Sequence, residues 1–222
     1  MRDLFVKQQL VDAIRMLERA GMIDHNGHSS ARRDETSFYI NSGTSVRGAL
    51  TTDDIVAVNL AGDLVEGDAR PPLEFHLHAE VYRARADVHA VMHTHPQWST
   101  FLTIAGAPYK PVYAQGVLLG DIPLMDSPLS VNTKAMGERL AATLGRGPAV
   151  LLKAHGAVTV GADVVEAFVL AAYLEENSHR QYMAMQIGDP YVFTEAEQRA
   201  CREKLWSPTL FKKTWDHYRS KL

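Results

Sequence analysis

The sequence is poor in the features that mark secreted, membrane-spanning and nucleic-acid-binding proteins. Among its 222 residues there is one cysteine, Cys201, so no internal disulfide can form, and a reducing cytoplasm is favoured. No apolar run approaches the roughly 18 residues of a membrane span, and the amphipathic N-terminus lacks the apolar core of a secretory signal. The formal net charge is −3, so there is no basic excess for nucleic acid or anionic lipid. We therefore expect a cytoplasmic protein with neither kind of partner.

The composition is that of a folded globular protein, with 46% hydrophobic and 22% charged residues. No repeat, linker or shift in composition divides the chain, so a single α/β domain over residues 1–222 is the simplest interpretation. Helical spacing of apolar residues predicts helices over 4–20, 74–85, 99–104, 132–144 and 163–186, and strands are predicted over 37–40, 54–60, 64–67, 88–95, 149–153 and 158–161. Residues 24–30 are predicted to form a polar turn, and the chain after 186 to be helical or irregular. Some strands follow one another as hairpins, which favours an antiparallel or mixed sheet.

Histidine is the residue whose distribution needs an explanation, because five of the ten histidines fall between His76 and His95. His93 and His95 stand two apart at the end of a predicted strand, so both imidazoles face the same side. His155 follows another apolar strand and precedes a glycine. Three neutral imidazoles suit Zn²⁺ with a position left open for substrate, and Mn²⁺, Co²⁺ or Fe²⁺ accept the same donors. A His-x-His pair by itself is more often structural.

Three motifs in a fixed order extend this signal: PLEFHLH at 72–78, HTHP at 93–96 and KAHG at 153–156. Together they resemble the class II aldolase/adducin family, over roughly residues 5–185. The resemblance implies a three-layer αβα fold around a central, mostly antiparallel sheet. It also implies that His93, His95 and His155 bind a divalent metal ion, with Zn²⁺ favoured. Glu74 matches the family's acidic residue, which is a metal ligand in the empty site and the acid/base in turnover.

The resemblance further implies a cyclic homotetramer with its sites at subunit interfaces. The C-terminal segment, about residues 195–222, carries four aromatic residues that would suit a cover over a neighbouring subunit's site: Trp206, Phe211, Trp215 and Tyr218. Ordinary packing of a terminal helix is the alternative explanation for these aromatics, since interfaces are only moderately enriched in them.

The sequence departs from the family's sugar-phosphate aldolases in the segments that hold phosphate. The first reads Gly27-His28-Ser29-Ser30, with histidine where asparagine is expected. The second survives as Ser42-Gly43-Thr44. The third is Pro72-Leu73 in place of a hydroxyl pair, and it offers neither a hydroxyl nor, at the proline, an N–H. A phosphate dianion needs several convergent donors, so a phosphorylated substrate is disfavoured.

These departures are more similar to the branch of the family that decarboxylates hydroxylated aromatic or pyridine dicarboxylates. In both branches a metal ion draws electrons from the bond that breaks. The product carbon must then gain a proton, and Glu74 and His28 are the candidate catalytic residues; the alternative for His28 is a hydrogen-bonded turn residue. Substrate-binding candidates are Ser42, Gly43, Thr44 and Arg47. Arg32, Arg33 and Arg70 are further candidates for a second carboxylate, although an isolated arginine is more often a solvated surface charge.

The leading hypothesis is therefore a metal-dependent decarboxylase of a small hydroxylated aromatic or heteroaromatic acid. An aldolase or epimerase acting on a sugar phosphate or hydroxy-ketone is the second. A non-catalytic, adducin-like binding module is the third, and the four retained donors argue against it. A small-molecule substrate is expected under the first two hypotheses.

Overall fold

An eight-stranded sheet forms the centre of the computed structural model, which describes residues 2–222. The strands are β1 (His28–Arg32), β2 (Ser37–Asn41), β3 (Ile55–Asn59), β4 (Leu64–Glu66), β5 (Ala90–Thr94), β6 (Leu124–Met125), β7 (Ala149–Leu152) and β8 (Gly156–Gly161). They lie in the order β4-β3-β2-β1-β5-β8-β7-β6. Every neighbouring pair is antiparallel except β6 and β7, which are parallel.

Within the described part of the chain, seven α-helices flank the sheet. They are α1 (Arg2–Arg19), α2 (Phe75–Ala84), α3 (Gln97–Ile104), α4 (Lys134–Leu144), α5 (Val164–Met185), α6 (Glu195–Leu205) and α7 (Pro208–Arg219). Asp163 begins α5 by accepting a hydrogen bond from the Glu166 N–H, and Thr194 begins α6 through a capping box with Glu197. These caps explain why both helices begin where they do.

The apolar residues of the strands alternate between two cores, one on each face of the sheet. On β2, for example, Tyr39 faces the core shared with α1, α5 and α7, while Phe38 and Ile40 face the core shared with α2 and α4. This alternation is the period of two that a strand buried on both faces requires. The result is helix, sheet and helix in three layers, so the predicted αβα fold around a mostly antiparallel sheet is confirmed.

The predicted polar turn over residues 24–30 is wrong in its second half. His28, Ser29 and Ser30 belong to β1, a central strand that pairs with β2 on one side and β5 on the other. All three residues are at most 3% exposed. The strand tolerates this burial because the side chains of His28 and Ser30 find hydrogen-bond partners on α2, which the local sequence does not reveal.

The C-terminal segment is helical, and α7 packs against the same chain. Phe211 and Trp215 are buried in the core that contains α1 and α5, where Phe168 meets Trp215 edge to face with ring centroids 5.3 Å apart. Trp206 stays 40% exposed. Within residues 2–222, no helix combines the length and the hydropathy that crossing a bilayer would demand.

Candidate metal centre

Three neighbouring strands bring the predicted metal ligands to one edge of the sheet. His93 lies on β5, paired with His28 on β1 and with Val158 on β8. His95 follows β5 directly, and His155 lies in the tight turn between β7 and β8. The central strands therefore fix the position of His93, and two short connections place the other histidines beside it.

The turn that carries His155 depends on two unusual backbone positions. Ala154 has a φ of 51°, in the left-handed region that few residues other than glycine adopt. Gly156 lies against β5 so closely that a Cβ atom there would be 2.2 Å from the carbonyl oxygen of Thr94. Only glycine allows the strands to approach this closely, and this approach brings His155 to the edge of the sheet where His93 and His95 lie.

The side chains of Glu74, His93, His95 and His155 converge, with one ligand atom of each within 4.8 Å of the others. The Nε2 atoms of His93 and His95 are 3.1 Å apart. Glu74 begins α2, and its Oε2 lies 3.4 Å from the His93 Nε2, while its Oε1 lies 3.8 Å from the His155 Nε2. The sequence predicted this group of three histidines and one carboxylate, and the fold brings all four together.

The hydrogen bonds around the histidines suit a cation. The Nδ1–H of His93 donates to the carbonyl oxygen of Ala157 at 3.1 Å, and the Nδ1–H of His95 donates to Asp24 Oδ1, also at 3.1 Å. In neutral rings the two Nε2 atoms are then unprotonated, so two lone pairs face each other. A divalent metal ion satisfies both lone pairs, and a carbonyl or carboxylate on the other ring nitrogen is the usual support for a metal-binding histidine.

Burial keeps the rings of His28 and His155 beside Glu74 neutral. Burial lowers the pKa of His155 to about 4 and the pKa of His28 to about 3. For Glu74, burial raises the pKa, but the close approach of His28 and His93 outweighs that effect and holds the Glu74 pKa well below its usual range. The site therefore offers one carboxylate and several neutral imidazoles, which is the protonation state that metal binding requires.

A pocket of about 600 Å³ opens beside this group. Its lining residues are Asn26, His28, Gly43, Thr44, Arg47, Arg70, Pro71, Pro72, Leu73, Glu74, His95, Ser130 and His155. Four predicted substrate-binding or catalytic positions other than Glu74 thus reach it, namely His28, Gly43, Thr44 and Arg47. Ser42 does not, because it is 2% exposed and lies beneath the pocket, where its carbonyl oxygen accepts a hydrogen bond from Arg47 Nη1.

The four arginines considered from the sequence divide into two pairs. Arg47 and Arg70 line the pocket. Arg32 is instead engaged with backbone carbonyl oxygens, including those of Tyr82 and Val88, and Arg33 lies 3.4 Å from Glu66. Arg32 and Arg33 thus do not line the pocket, and their guanidinium groups have other partners away from it.

Two supporting features were not predicted from the sequence. Asp24 orients His95 across a separation of 71 residues, and His78 lies 2.7 Å from His28 across 50 residues. His78 is fully buried. The only sequence signal for these roles is that Asp24 and His78 each lie close to another histidine in the sequence. Contacts between distant segments leave no local sequence pattern.

Comparison with known proteins agrees with this geometry. Residues 8–182 match the family model for the class II aldolase and adducin N-terminal domain. The chain is 30% identical over 175 residues to the L-fuculose phosphate aldolase of Methanocaldococcus jannaschii, covering 78% of this chain and 93% of the relative. It is 32% identical over 181 residues to the 3,4-dihydroxyphthalate decarboxylase of Arthrobacter keyseri, covering 75% and 73%.

A solved L-fuculose 1-phosphate aldolase from Glaciozyma antarctica has the same fold, with a TM-score of 0.87, 22% identity and coverage of 99% of this chain and 88% of that one. The chain therefore belongs to the class II aldolase and adducin family, as an enzyme of the class II aldolase type whose Glu74, His93, His95 and His155 can hold the divalent metal ion that these lyases use.

Proposed function

We propose that this enzyme is a metal-dependent decarboxylase of a small hydroxylated aromatic or heteroaromatic dicarboxylate. The observation that carries the proposal is the wall of the pocket beside Glu74. Pro71, Pro72 and Leu73 line it, so side-chain hydroxyls are missing at the place where the family's sugar-phosphate aldolases hold phosphate. A flat ring packs well against such an apolar wall, whereas a phosphate dianion needs converging donors.

The same pocket has positively charged arginine side chains that could bind a second carboxylate of the substrate. Arg47 is 5% exposed, and its Nε and Nη1 groups donate to backbone carbonyl oxygens, including those of Gly27 at 2.8 Å and Ser45. No hydrogen bond from its Nη2 is found within residues 2–222, which leaves that group available to a ligand. Arg70 is exposed at the pocket rim. Two guanidinium groups beside one apolar wall suit a dicarboxylated ring better than a neutral sugar.

In the proposed reaction the bond between a ring carbon and its carboxyl carbon breaks, CO₂ leaves, and a proton replaces it on the ring. A divalent ion in the site supplies Lewis acidity toward a substrate oxygen next to that bond. Glu74 is the residue proposed to hold and deliver the proton, because its carboxylate lies beside the metal ligands and at the pocket surface. His28, whose Nε2 is 3.6 Å from Glu74 Oε2, is proposed to donate a hydrogen bond.

Among possible ions we favour Zn²⁺, since three imidazoles and a carboxylate are ligands that it commonly takes, and Mn²⁺, Co²⁺ or Fe²⁺ would fit the same donors. We also infer a cytoplasmic homotetramer in which a neighbouring subunit covers the pocket, with the segment 195–222 as one candidate for the cover. Exposed apolar side chains near the pocket, Leu73 at 81% and Leu129 at 66%, support a covering partner. Light scattering of the purified protein tests the tetramer.

A sugar-phosphate aldolase is the second candidate, and two observations favour it. Several similar relatives are fuculose-phosphate aldolases, and Gly43 and Thr44 of the remaining phosphate segment line the pocket. Against it, the Gly43 N–H already donates to the carbonyl oxygen of Arg70 at 2.9 Å, so one donor of that segment is not free.

The deciding experiment compares two substrate sets on one metal-loaded preparation. Release of CO₂ from dihydroxyphthalates and hydroxypyridine dicarboxylates is measured next to release of aldehyde from L-fuculose 1-phosphate, each with and without a chelator. We expect CO₂ release that the chelator abolishes and that added Zn²⁺ or Mn²⁺ restores. Aldehyde release without CO₂ release would overturn the decarboxylase assignment, and CO₂ release that a chelator leaves unchanged would overturn the metal-dependent reaction.

A further inference from the structure

A line of buried polar side chains runs away from Glu74 into the core covered by α2. His28 Nε2 lies 3.6 Å from Glu74 Oε2, and the other ring nitrogen of His28, Nδ1, lies 2.7 Å from the Nε2 of His78. His28 is 3% exposed and His78 is fully buried. Two histidine rings in direct hydrogen-bond contact inside a protein must have complementary protonation, because one nitrogen has to donate and the other to accept.

The line continues on the far side of His78. The Oγ atom of Ser30 lies 2.6 Å from His78 Nδ1 and 2.7 Å from the hydroxyl of Tyr82. Ser30 is fully buried and Tyr82 is 3% exposed. Phe38 forms an apolar wall beside both rings, with its centroid 6.2 Å from that of His78 and 5.3 Å from that of Tyr82. Water therefore has little access to any member of the line.

The closed end of the line fixes the direction of every hydrogen bond in it. Within residues 2–222, the Tyr82 hydroxyl has one hydrogen-bond partner, Ser30 Oγ. Its proton must go there, because an unpaired buried donor costs about 1–3 kcal/mol. The Ser30 proton is then donated to His78 Nδ1, the only other neighbour of Ser30 Oγ in the line.

The same reasoning determines which nitrogen is protonated in each of the two histidine rings. With its Nδ1 accepting, the neutral ring of His78 carries its proton on Nε2 and donates it to His28 Nδ1. The neutral ring of His28 must then carry its proton on Nε2, the nitrogen that faces Glu74 and the pocket. Both rings are buried, with His28 3% exposed and His78 fully buried, and burial away from water disfavours a charged imidazole.

We propose that His78, Ser30 and Tyr82 are positioning residues that hold His28 in the Nε2–H tautomer, so that His28 presents a hydrogen-bond donor to the pocket and never an acceptor. Such a His28 recognises an oxygen with lone pairs, such as a substrate carboxylate or ring oxygen. Delivery of the proton to carbon then belongs to Glu74. The assignment of the recognised oxygen rests on the proposed function, whereas the tautomer of His28 does not.

Solid-state ¹⁵N NMR of the zinc-loaded, histidine-labelled protein tests the tautomer without any substrate. Protonated and bare ring nitrogens resonate in separate ranges, and His28 and His78 are assigned through His28→Gln and His78→Gln variants. We expect both rings to be neutral, with the proton on Nε2 and a bare Nδ1. A proton on Nδ1 of either ring, or a doubly protonated ring, would overturn the proposal. This outcome is independent of whether any dicarboxylate is decarboxylated.

Two substitutions of His78 link the tautomer to function. A glutamine amide can still donate to His28 Nδ1, whereas leucine cannot. We expect His78→Leu to lower kcat by about 10–100-fold, the range found for residues that orient others at metal sites, with zinc stoichiometry unchanged and the His28 tautomer signal lost. His78→Gln should recover most of the kcat and the signal. Equal kcat in both variants, or a loss of kcat that follows only their melting temperatures, would contradict the positioning role.

A matched pair of tyrosine variants removes one buried hydroxyl each. Tyr82→Phe shortens the line, while Tyr39→Phe removes the hydroxyl of another buried tyrosine on the opposite face of the sheet. We expect Tyr82→Phe to shift the ¹⁵N resonances of His78 and His28 and Tyr39→Phe to leave them unchanged. Identical spectra for the wild-type protein and Tyr82→Phe would mean that Tyr82 is not part of the line.

Discussion

The Nε2 atoms of His93 and His95 lie 3.1 Å apart while the Nδ1 atom of each ring donates a hydrogen bond to another group. In the metal-free protein these two lone pairs repel each other, and a bound cation turns the repulsion into two bonds. Metal binding should therefore stabilise the fold markedly.

Zn²⁺ at 100 times its dissociation constant should raise the free energy of unfolding by about 2.7 kcal/mol, seen as a higher melting temperature that a chelator reverses. The His95→Ala variant should lose the bound metal, as measured by elemental analysis. It should also lose the rise in melting temperature on addition of Zn²⁺. His89→Ala is the matched control, because His89 is exposed and precedes the same strand. An unchanged metal content in His95→Ala would remove His95 from the ligand set.

Asp24 holds the His95 ring through Nδ1, and its removal should weaken metal binding without abolishing it. Asp24→Asn keeps the side-chain oxygen that accepts from the Asn26 N–H but loses the charge that supports His95. We expect about 10–100-fold weaker Zn²⁺ affinity, measured by competition with a chromophoric chelator. Glu35→Gln, an equal change of charge at an exposed position, should bind as the wild type does, and equal affinities in both variants would exclude the supporting role.

Glu74 should be needed for turnover more than for metal retention. Glu74→Gln preserves the shape of the side chain and the acceptor for the Val131 N–H, which Glu74 Oε1 now receives at 2.8 Å. We expect kcat to fall by about 10²–10⁴-fold, while the three histidines still retain one metal ion per chain. Turnover within a few-fold of the wild type would assign the proton transfer to another group.

Arg70 should contribute to affinity for the second carboxylate of the substrate. We expect Arg70→Gln to raise KM for a dicarboxylated ring about tenfold, the scale of a lost hydrogen bond to a charged group, and to leave KM for a monocarboxylated ring unchanged. Arg33→Gln is the control, since Arg33 lies beside Glu66 and outside the pocket. Equal effects of Arg70→Gln on the two substrate types would place Arg70 outside carboxylate recognition.

Acid should destabilise the metal-free protein through its buried histidines. The pKa of His28 falls to about 3 and that of His155 to about 4 in the folded state, both below the ordinary value of 6.5. Below pH 6.5 the unfolded chain binds protons that the native state excludes. These histidines therefore cost no stability above pH 6.5 and destabilise the fold progressively as the pH falls toward their folded pKa values. The slope is about 1.4 kcal/mol per pH unit for each histidine.

Urea denaturation of the metal-free protein between pH 7 and pH 5 measures this slope. His155→Gln should show a smaller loss of stability over that range because one proton-binding group is gone. The same pH dependence in His155→Gln as in the wild type would show that His155 takes up its proton in the native state as well.

The sequence predicts most helices, most strands and the metal ligands, because these depend on local patterns. His93 and His95 are two residues apart on one strand, and the motifs that contain Glu74 and His155 are short and ordered. The sequence predicts Ser42 at the substrate surface because Ser42 belongs to a recognisable segment, but membership of a segment does not tell which of its side chains is exposed. In the structure Ser42 is covered and its carbonyl oxygen supports Arg47.

The features of the fold and of the site that the sequence does not predict depend on contacts between residues that are far apart in the chain. Strand β1 has the sequence HSSAR, which has no apolar alternation, and its burial is possible because His78 and Tyr82 of α2 bond to Ser30 across 48 and 52 residues. The support of His95 by Asp24 spans 71 residues. These long-range hydrogen bonds satisfy buried polar groups, but the sequence of either segment alone does not show which residue its partner is.

Gly156 has no side-chain functional group, yet its replacement should abolish metal binding and activity, as the replacement of a metal ligand would. A methyl group 2.2 Å from the Thr94 carbonyl oxygen would force apart the two strands that bring His155 to the other histidines. The metal site of this protein therefore requires Gly156 in addition to its four ligands. A homologue that keeps all four ligands but has a larger residue at the position of Gly156 should be expected to have lost its metal.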